Sequence, residues 1–170
     1  MAIILMANIG FSQSKSNINK SKISFKIKNL GINTSGTIGG LQANIQFNPA
    51  DLATSTVEAS VETKTINTDN EGRDEHLRSD DFFGVSRYPK ITLKSVSFKH
   101  IGGKNYSGTF NLTIKDKTKQ IDIPFTYLDE GNGVAIRANF KIDRLDFGVG
   151  GNSMVLSNEV TVNVEAEMSK

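Results

Sequence analysis

Hydrophobic and polar residues alternate along most of the chain, in runs that change face at every residue, as half-buried β-strands do. The first clear run places Ile23, Phe25 and Ile27 on one face and lysines and a serine on the other. Seven similar runs follow, at residues 41–47, 57–62, 91–98, 110–114, 121–127, 134–142 and 159–168. The pattern therefore predicts eight β-strands.

Turn-forming residues separate these runs and keep most connections short. The clearest are Asn48-Pro49, Gly102-Gly103 and Gly131-Asn132-Gly133. Half-buried strands joined by short loops predict an all-β antiparallel fold, for which a sandwich and a closed up-and-down barrel are both solutions. The meander and the long strands favour the eight-stranded barrel. In the fourth run the apolar face shifts between Leu93 and Phe98, which predicts a β-bulge near Ser95.

The predicted interior is apolar. Eight strands enclose a space that is either packed solid or holds one slender ligand. Ala43, Ala59 and Ala138 leave room between bulkier inward residues, but alternation alone favours a filled core. If the lumen is open, its expected lining comes from the strand runs and from an aromatic pair after the third run: Phe25, Ile27, Leu41, Ile45, Val57, Val61, Phe82, Phe83, Leu112, Ile123, Phe125, Ile136, Phe140 and Val162.

A charged segment from Asp69 to Asp81 interrupts the strand pattern between the third and fourth runs. Asp69 or Asn70 suits the N-cap of a helix, and acidic residues follow in the first turns. Asp74 and Arg78 are four residues apart, the spacing of a helical ion pair. The segment therefore predicts one helix inserted between strands 3 and 4.

The apolar residues of this segment, Leu77, Phe82 and Phe83, would let the helix lie across one end of a barrel as a plug or lid. His76 among nearby carboxylates raises the hypothesis of a metal or acid–base site, for example a hydrolase built on Asp74 and His76. A solvated helix face accounts for the same residues better, because the helix carries no second histidine at the spacing that a zinc site uses.

Composition and charge narrow the function classes. The 170 residues suit one domain, and the net charge of +2 gives no basis for nucleic-acid binding. The chain has no cysteine and two histidines, which excludes disulfides, thiolate nucleophiles and cysteine-ligated zinc.

No apolar run is long enough for a transmembrane helix. Residues 1–14 are typical of a signal-peptide remnant, although an ordinary N-terminal strand fits equally well.

Three separated blocks, residues 66–95, 108–125 and 140–151, resemble the YceI family of lipocalin-like bacterial proteins associated with polyisoprenoid binding. The resemblance covers residues 21–167, and we place the domain at 15–170. It implies an elongated lipocalin-like barrel with a helix between strands 3 and 4. It also implies a bound isoprenoid or fatty-chain amphiphile rather than a cofactor, and a periplasmic or secreted location.

The resemblance also marks a set of polar residues. They would either recognise a headgroup or tie the helix to the late loop, for instance by pairing Asp74 or Asp80 with Arg144. The set is Arg73, Asp74, His76, Arg78, Asp143 and Arg144.

The leading hypothesis is a non-enzymatic barrel that binds, sequesters or transports a long-chain isoprenoid or another apolar lipid. The alternative is an exported structural or stress-protective barrel with a filled core and no tight ligand. We assign no catalytic or metal-binding residue. Strand edges at an imperfectly closed barrel would give a homodimer.

Overall fold

The alternating runs form eight antiparallel strands that close into a barrel in strictly sequential order, with β1 paired to β8. The computed structural model describes residues 17–169, so the predicted signal remnant at 1–14 lies outside the described residues. The strands are β1 (Ile18–Asn29), β2 (Ile32–Gln46), β3 (Thr56–Asn67), β4 (Lys90–Gly102), β5 (Asn105–Ile114), β6 (Lys117–Asp129), β7 (Gly133–Asp143) and β8 (Leu156–Ser169). The predicted fold class is confirmed.

Closure is complete across the described residues, because each strand has a hydrogen-bonded neighbour on both sides. The β1–β8 seam runs from Ile18 opposite Met168 to Asn29 opposite Leu156. The free strand edges through which we expected two copies to pair are therefore absent from residues 17–169. Dimerisation by that route has no structural support here.

Sequential up-and-down order gives the barrel two distinct ends. The helix end carries the β1–β2 hairpin, the connection from β3 to β4, the β5–β6 turn and the connection from β7 to β8. The opposite end, which we call the aromatic end, carries the β2–β3, β4–β5 and β6–β7 connections. Short 3₁₀ helices lie at Leu52–Thr54 and Arg144–Phe147.

Two strands contain bulges that change which residues face inward. In β4 the register shifts between Ser95 and Ser97, which confirms the bulge predicted near Ser95. In β2 the register with β3 shifts around Gly39, and Gly40 has a left-handed φ of 70°. Glycine is the residue that adopts such a backbone without strain. The Gly39-Gly40 pair therefore determines where the irregularity in β2 lies.

The helix α1 (Glu71–Arg78) lies between β3 and β4 as predicted, but it is shorter than the charged segment. Asn70 is the N-cap, and its side chain accepts a hydrogen bond from the Arg73 amide. Ser79 ends the helix in an extended conformation, with its N–H bonded to the carbonyls of Glu75 and His76. The remaining residues to the start of β4 form turns.

Candidate ligand cavity and its mouth

The half of the barrel nearest α1 encloses a cavity of about 380 Å³. Ligand sites for small molecules typically occupy roughly 300–1,000 Å³. Its walls are mainly Ile, Val, Leu and Phe side chains from β1, β2, β3, β4, β5, β7 and β8, and Leu77, Phe82 and Phe83 from α1 and the turn after it also line it. The arrangement can hold an apolar chain and has little capacity to solvate a charged one.

The other half of the barrel is filled. Phe47, just after β2, sits against four aromatic rings with centroid distances of 4.9–5.4 Å. These rings belong to Phe98, Tyr106, Phe125 and Tyr127. Three of the four contacts are edge-to-face, a favoured geometry for aromatic pairs. We call these five rings the aromatic cluster, and it closes the lumen at the aromatic end.

The structure divides the predicted lumen residues between these two halves. Nine of them line the cavity: Phe25, Ile27, Leu41, Val61, Phe82, Phe83, Leu112, Phe140 and Val162. The cavity does not reach the other five, which lie toward the aromatic end: Ile45, Val57, Ile123, Phe125 and Ile136. Alternation reports the inward face of a strand, but it does not report the depth at which side chains from other strands fill the lumen.

Several cavity residues were missed because they lie before the irregularity in β2. Thr34 and Ile38 line the cavity together with Leu41, and simple alternation from Leu41 would assign Ile38 to the outer face. The Gly39-Gly40 pair was the available signal, since an isolated glycine pair in a strand marks a bulge. Close by, Gly36 opposes Phe25. A Cβ at Gly36 would lie 2.5 Å from the Phe25 ring, so glycine there makes room for that ring inside the lumen.

The cavity opens at the helix end through a polar rim. Asn29, Arg73 and His76 are exposed and also line the cavity. The His76 ring stacks edge-on against Phe82, with centroids 4.9 Å apart, and its Nε2 is 4.0 Å from Asp81 Oδ2. We call the opening bordered by Asn29, Arg73, His76 and Leu156 the mouth.

Asp74 fixes the junction of β3 and α1 rather than the mouth. It is 5% exposed, and its Oδ1 accepts from the Thr68 amide at 2.9 Å and from the Thr68 hydroxyl at 2.5 Å. Arg73 donates from Nε to the same hydroxyl and from Nη2 to the Thr68 carbonyl, both at 2.8 Å. The Asp74 carboxylate therefore bonds to Thr68, whereas the His76 ring lies against Phe82 and Asp81. The two side chains are not paired as the hydrolase hypothesis requires.

The predicted Asp74–Arg78 ion pair is wrong. Arg78 donates instead to the β3 carbonyls of Lys64 and Ile66, at 3.0 and 2.9 Å. These bonds hold the C-terminal turn of α1 against the barrel. The ion-pair rule for helices describes exposed side chains, whereas Asp74 is buried by the contacts of its own junction.

Arg144 organises the connection from β7 to β8. It is 3% exposed, and burial lowers the pKa of its guanidinium from the usual value while the adjacent Asp143 carboxylate raises it. Each of its N–H directions meets an oxygen of that connection or of β8. The acceptors are the carbonyls of Val149, Gly151, Leu156 and Ser157 and the side chain of Asn158.

The expected pairing of Arg144 with Asp74 or Asp80 therefore does not form. The late connection meets the segment after α1 through the main chain, where the Gly150 N–H donates to the Asp81 carbonyl at 3.0 Å. Asp143 caps the 3₁₀ helix by accepting from the Leu145 amide at 2.8 Å.

Two further observations bear on the kind of site. Among residues 17–169, no cluster of three or more His, Asp or Glu side chains is placed to hold a metal ion. Over the same range, no helix combines the length and apolar character needed to cross a membrane.

A family model of the YceI-like domain matches residues 15–168. A UPF0312 protein of Azotobacter vinelandii is 29% identical over 152 residues, covering 85% of this chain and 79% of the relative. A UPF0312 protein of Vibrio cholerae is 29% identical over 136 residues, covering 76% of this chain and 72% of the relative.

Solved structures with this fold extend the comparison. A Campylobacter jejuni YceI protein superposes with a TM-score of 0.75 at 27% identity, covering 82% of this chain and 86% of that one. Burkholderia cenocepacia BcnA gives 0.83 at 24% identity, covering 86% and 95%. A polyisoprenoid binding domain from Saccharophagus degradans gives 0.72 at 12% identity, covering 91% and 97%. At these lower identities the last two show a shared fold alone.

Proposed function

Since this chain belongs to the family of YceI-like domains, we propose that it binds one isoprenoid or other apolar lipid chain in the barrel and carries or sequesters it without chemistry. The observation that carries this proposal is the apolar cavity of about 380 Å³ beneath α1. The Saccharophagus degradans neighbour, described as a polyisoprenoid binding domain, supports the same choice of ligand class.

The ligand has a preferred direction in this proposal. Its apolar tail lies among Phe25, Leu112, Phe140 and Val162, which line the cavity, and each buried CH₂ contributes about 0.8 kcal/mol. The aromatic cluster sets the depth that the tail reaches. A polar headgroup then lies at the mouth, within reach of Arg73 and other rim side chains.

The filled-barrel alternative describes only the aromatic half of the lumen. In the helix half, the side chains of Phe140 and Val162 face open space. Export to the periplasm or outside the cell is part of the proposal, because the resemblance to the YceI family implies it. Finding the native protein in the cytoplasmic fraction of its host would contradict that part.

The proposal is tested with a polyene fatty acid whose fluorescence rises in an apolar cavity. Phe140→Arg places a charge in the lumen, and Ala59→Phe fills space at another cavity-lining position without adding charge. Each change should weaken binding by about tenfold or more, because a 1.4 kcal/mol loss corresponds to about a factor of ten. Thermal melting establishes whether each variant is folded.

Asn139→Arg is the matched control, since residue 139 is adjacent to Phe140 on β7 but faces outward opposite Asn163. It should bind the probe as the parent protein does. If a folded Phe140→Arg or Ala59→Phe variant binds with unchanged affinity, the ligand does not occupy this cavity. A parent protein that does not bind the probe would favour the structural or stress-protective alternative.

A further inference from the structure

Two loops at the helix end present exposed apolar side chains beside each other. Leu30 and Ile32, in the β1–β2 hairpin, are 72% and 71% exposed. Met154 and Val155, just before β8, are 104% and 48% exposed. The Leu30 N–H donates to the Val155 carbonyl at 2.8 Å, which joins the two loops. We call these four residues the apolar tip.

Folding gives no reason for a leucine at position 30. Leu30 and Gly31 are the two central residues of the hairpin turn, with φ values of 51° and 76°. Such a turn favours Asn, Asp or Gly at its first central position. Leucine there accepts backbone strain and exposes an apolar side chain to water. Contact with an apolar phase outside the protein would explain the choice.

The apolar tip adjoins the mouth of the cavity on both loops. Asn29, immediately before Leu30, and Leu156, immediately after Val155, both line the cavity. These two residues are also register partners across the β1–β8 seam. A chain that enters or leaves the cavity past Asn29 and Leu156 therefore passes beside the apolar tip.

Positive charge lies next to the apolar tip. Lys26 and Lys28 are exposed on the outer face of β1. The register partners of Lys26 are Ser35 and Thr161, and that of Lys28 is Asn33. Neither lysine has a carboxylate as its register partner, and on the β8 side Lys28 lies at a register shift opposite the stretch that contains Glu159.

In the rest of β1, the lysines do have carboxylates as register partners. Farther from the apolar tip, its lysines lie directly opposite glutamates of β8, in the pairs Lys20–Glu167 and Lys22–Glu165. Glu159, the β8 carboxylate nearer the tip, is paired with Lys141 at 2.8 Å. An apolar tip beside lysines that lack a carboxylate register partner suits a surface that is apolar inside and anionic outside, which describes a bilayer containing anionic lipid.

We propose that the apolar tip docks the protein on an anionic lipid bilayer, with the mouth of the cavity facing the membrane. Leu30, Ile32 and Met154 insert among the lipid headgroups, and Lys26 and Lys28 lie against the anionic surface. The purpose of this docking rests on the proposed lipid-carrying function, because it lets a chain move between bilayer and cavity without crossing water.

Sedimentation with vesicles of equal parts phosphatidylcholine and phosphatidylglycerol tests the proposal. The combined change Leu30→Ser and Met154→Ser should weaken vesicle binding by about tenfold or more, since inserting two such side chains exceeds the 1.4 kcal/mol equivalent to a factor of ten. The control is Ile101→Ser. Ile101 is 64% exposed but lies in the β4–β5 hairpin at the aromatic end, so this change should have no effect.

Charge is tested separately. Lys26→Gln combined with Lys28→Gln should reduce binding to these vesicles by roughly 30-fold, since each lysine near an anionic surface contributes about a factor of five. Lys20→Gln combined with Lys22→Gln is the matched pair on the same strand, and it should have the smaller effect. Vesicles of phosphatidylcholine alone should bind the parent protein more weakly than the mixed vesicles.

The docking proposal is overturned if the parent protein does not sediment with the mixed vesicles, or if the tip and Ile101 variants sediment alike. Light scattering tests the other possible occupant of the apolar tip, a second copy of the chain. If the protein does not bind vesicles but forms a dimer that the tip change abolishes, the apolar tip is assigned to that second copy. Failure of docking can be distinguished from failure of the proposed function, because binding of the fluorescent polyene fatty acid to the tip variants can be measured without vesicles. Conversely, Ala59→Phe should still sediment.

Discussion

Arg144 shows how one buried side chain can organise a functional edge. It contacts five acceptors on the connection between β7 and β8 and at the start of β8. The connection contains Met154 and Val155 of the apolar tip and leads to Leu156 at the mouth. The sequence marked Arg144 by family resemblance but suggested a carboxylate partner. Its actual partners are mostly main-chain carbonyls, which a residue pattern cannot specify because every residue carries one.

Arg144→Lys should lower the free energy of unfolding by about 2–4 kcal/mol. Lysine keeps the charge but has three donors instead of a planar fork, so buried carbonyls lose their partners. Urea denaturation measures the change. Arg137→Lys, at an exposed position on β7, should stay within about 0.5 kcal/mol of the parent protein. Equal effects at the two positions would contradict this account of Arg144.

Among the elements, α1 owes its place to its junction with β3 more than to its own sequence. A helix of eight residues is too short to be stable alone. Thr68, Arg73 and Asp74 form a bonded cluster at its start, and Arg78 bonds to β3 carbonyls at its end. The sequence predicted the helix from local signals, with Asp69 or Asn70 as its N-cap, and the structure has Asn70. The junction depends on how Asp74 turns toward Thr68, which spacing alone does not reveal.

Asp74→Ala should loosen the attachment of α1 to β3 without unfolding the barrel. Loss of the buried carboxylate leaves the Thr68 amide without its acceptor, at a cost of about 1–3 kcal/mol. Hydrogen exchange should become faster for the amides of residues 69–85 and stay unchanged in β5 and β6. Glu75→Ala, at an exposed position on the same helix, serves as the control. Uniform acceleration throughout the barrel would contradict a local role for Asp74.

At the scale of the whole molecule, the barrel is divided into a filled half and an open half. Alternation predicted all eight strands and the inward faces of most, since the period of two is a local property of each strand. It could not locate the division, because the aromatic cluster gathers Phe98, Tyr106 and Phe125 from different strands around Phe47. Which rings meet depends on strand register and length, so the cavity position emerged only from the closed barrel.

The central claim is that the open half holds one apolar chain. The most direct test is mass spectrometry of the protein purified from a bacterial host that makes isoprenoids, with the intact complex and its organic extract measured side by side. The account predicts an added mass close to one ligand per chain, identified in the extract as an isoprenoid or similar apolar lipid and much reduced in Ala59→Phe. An intact mass equal to the bare chain, with no lipid extracted, would contradict it.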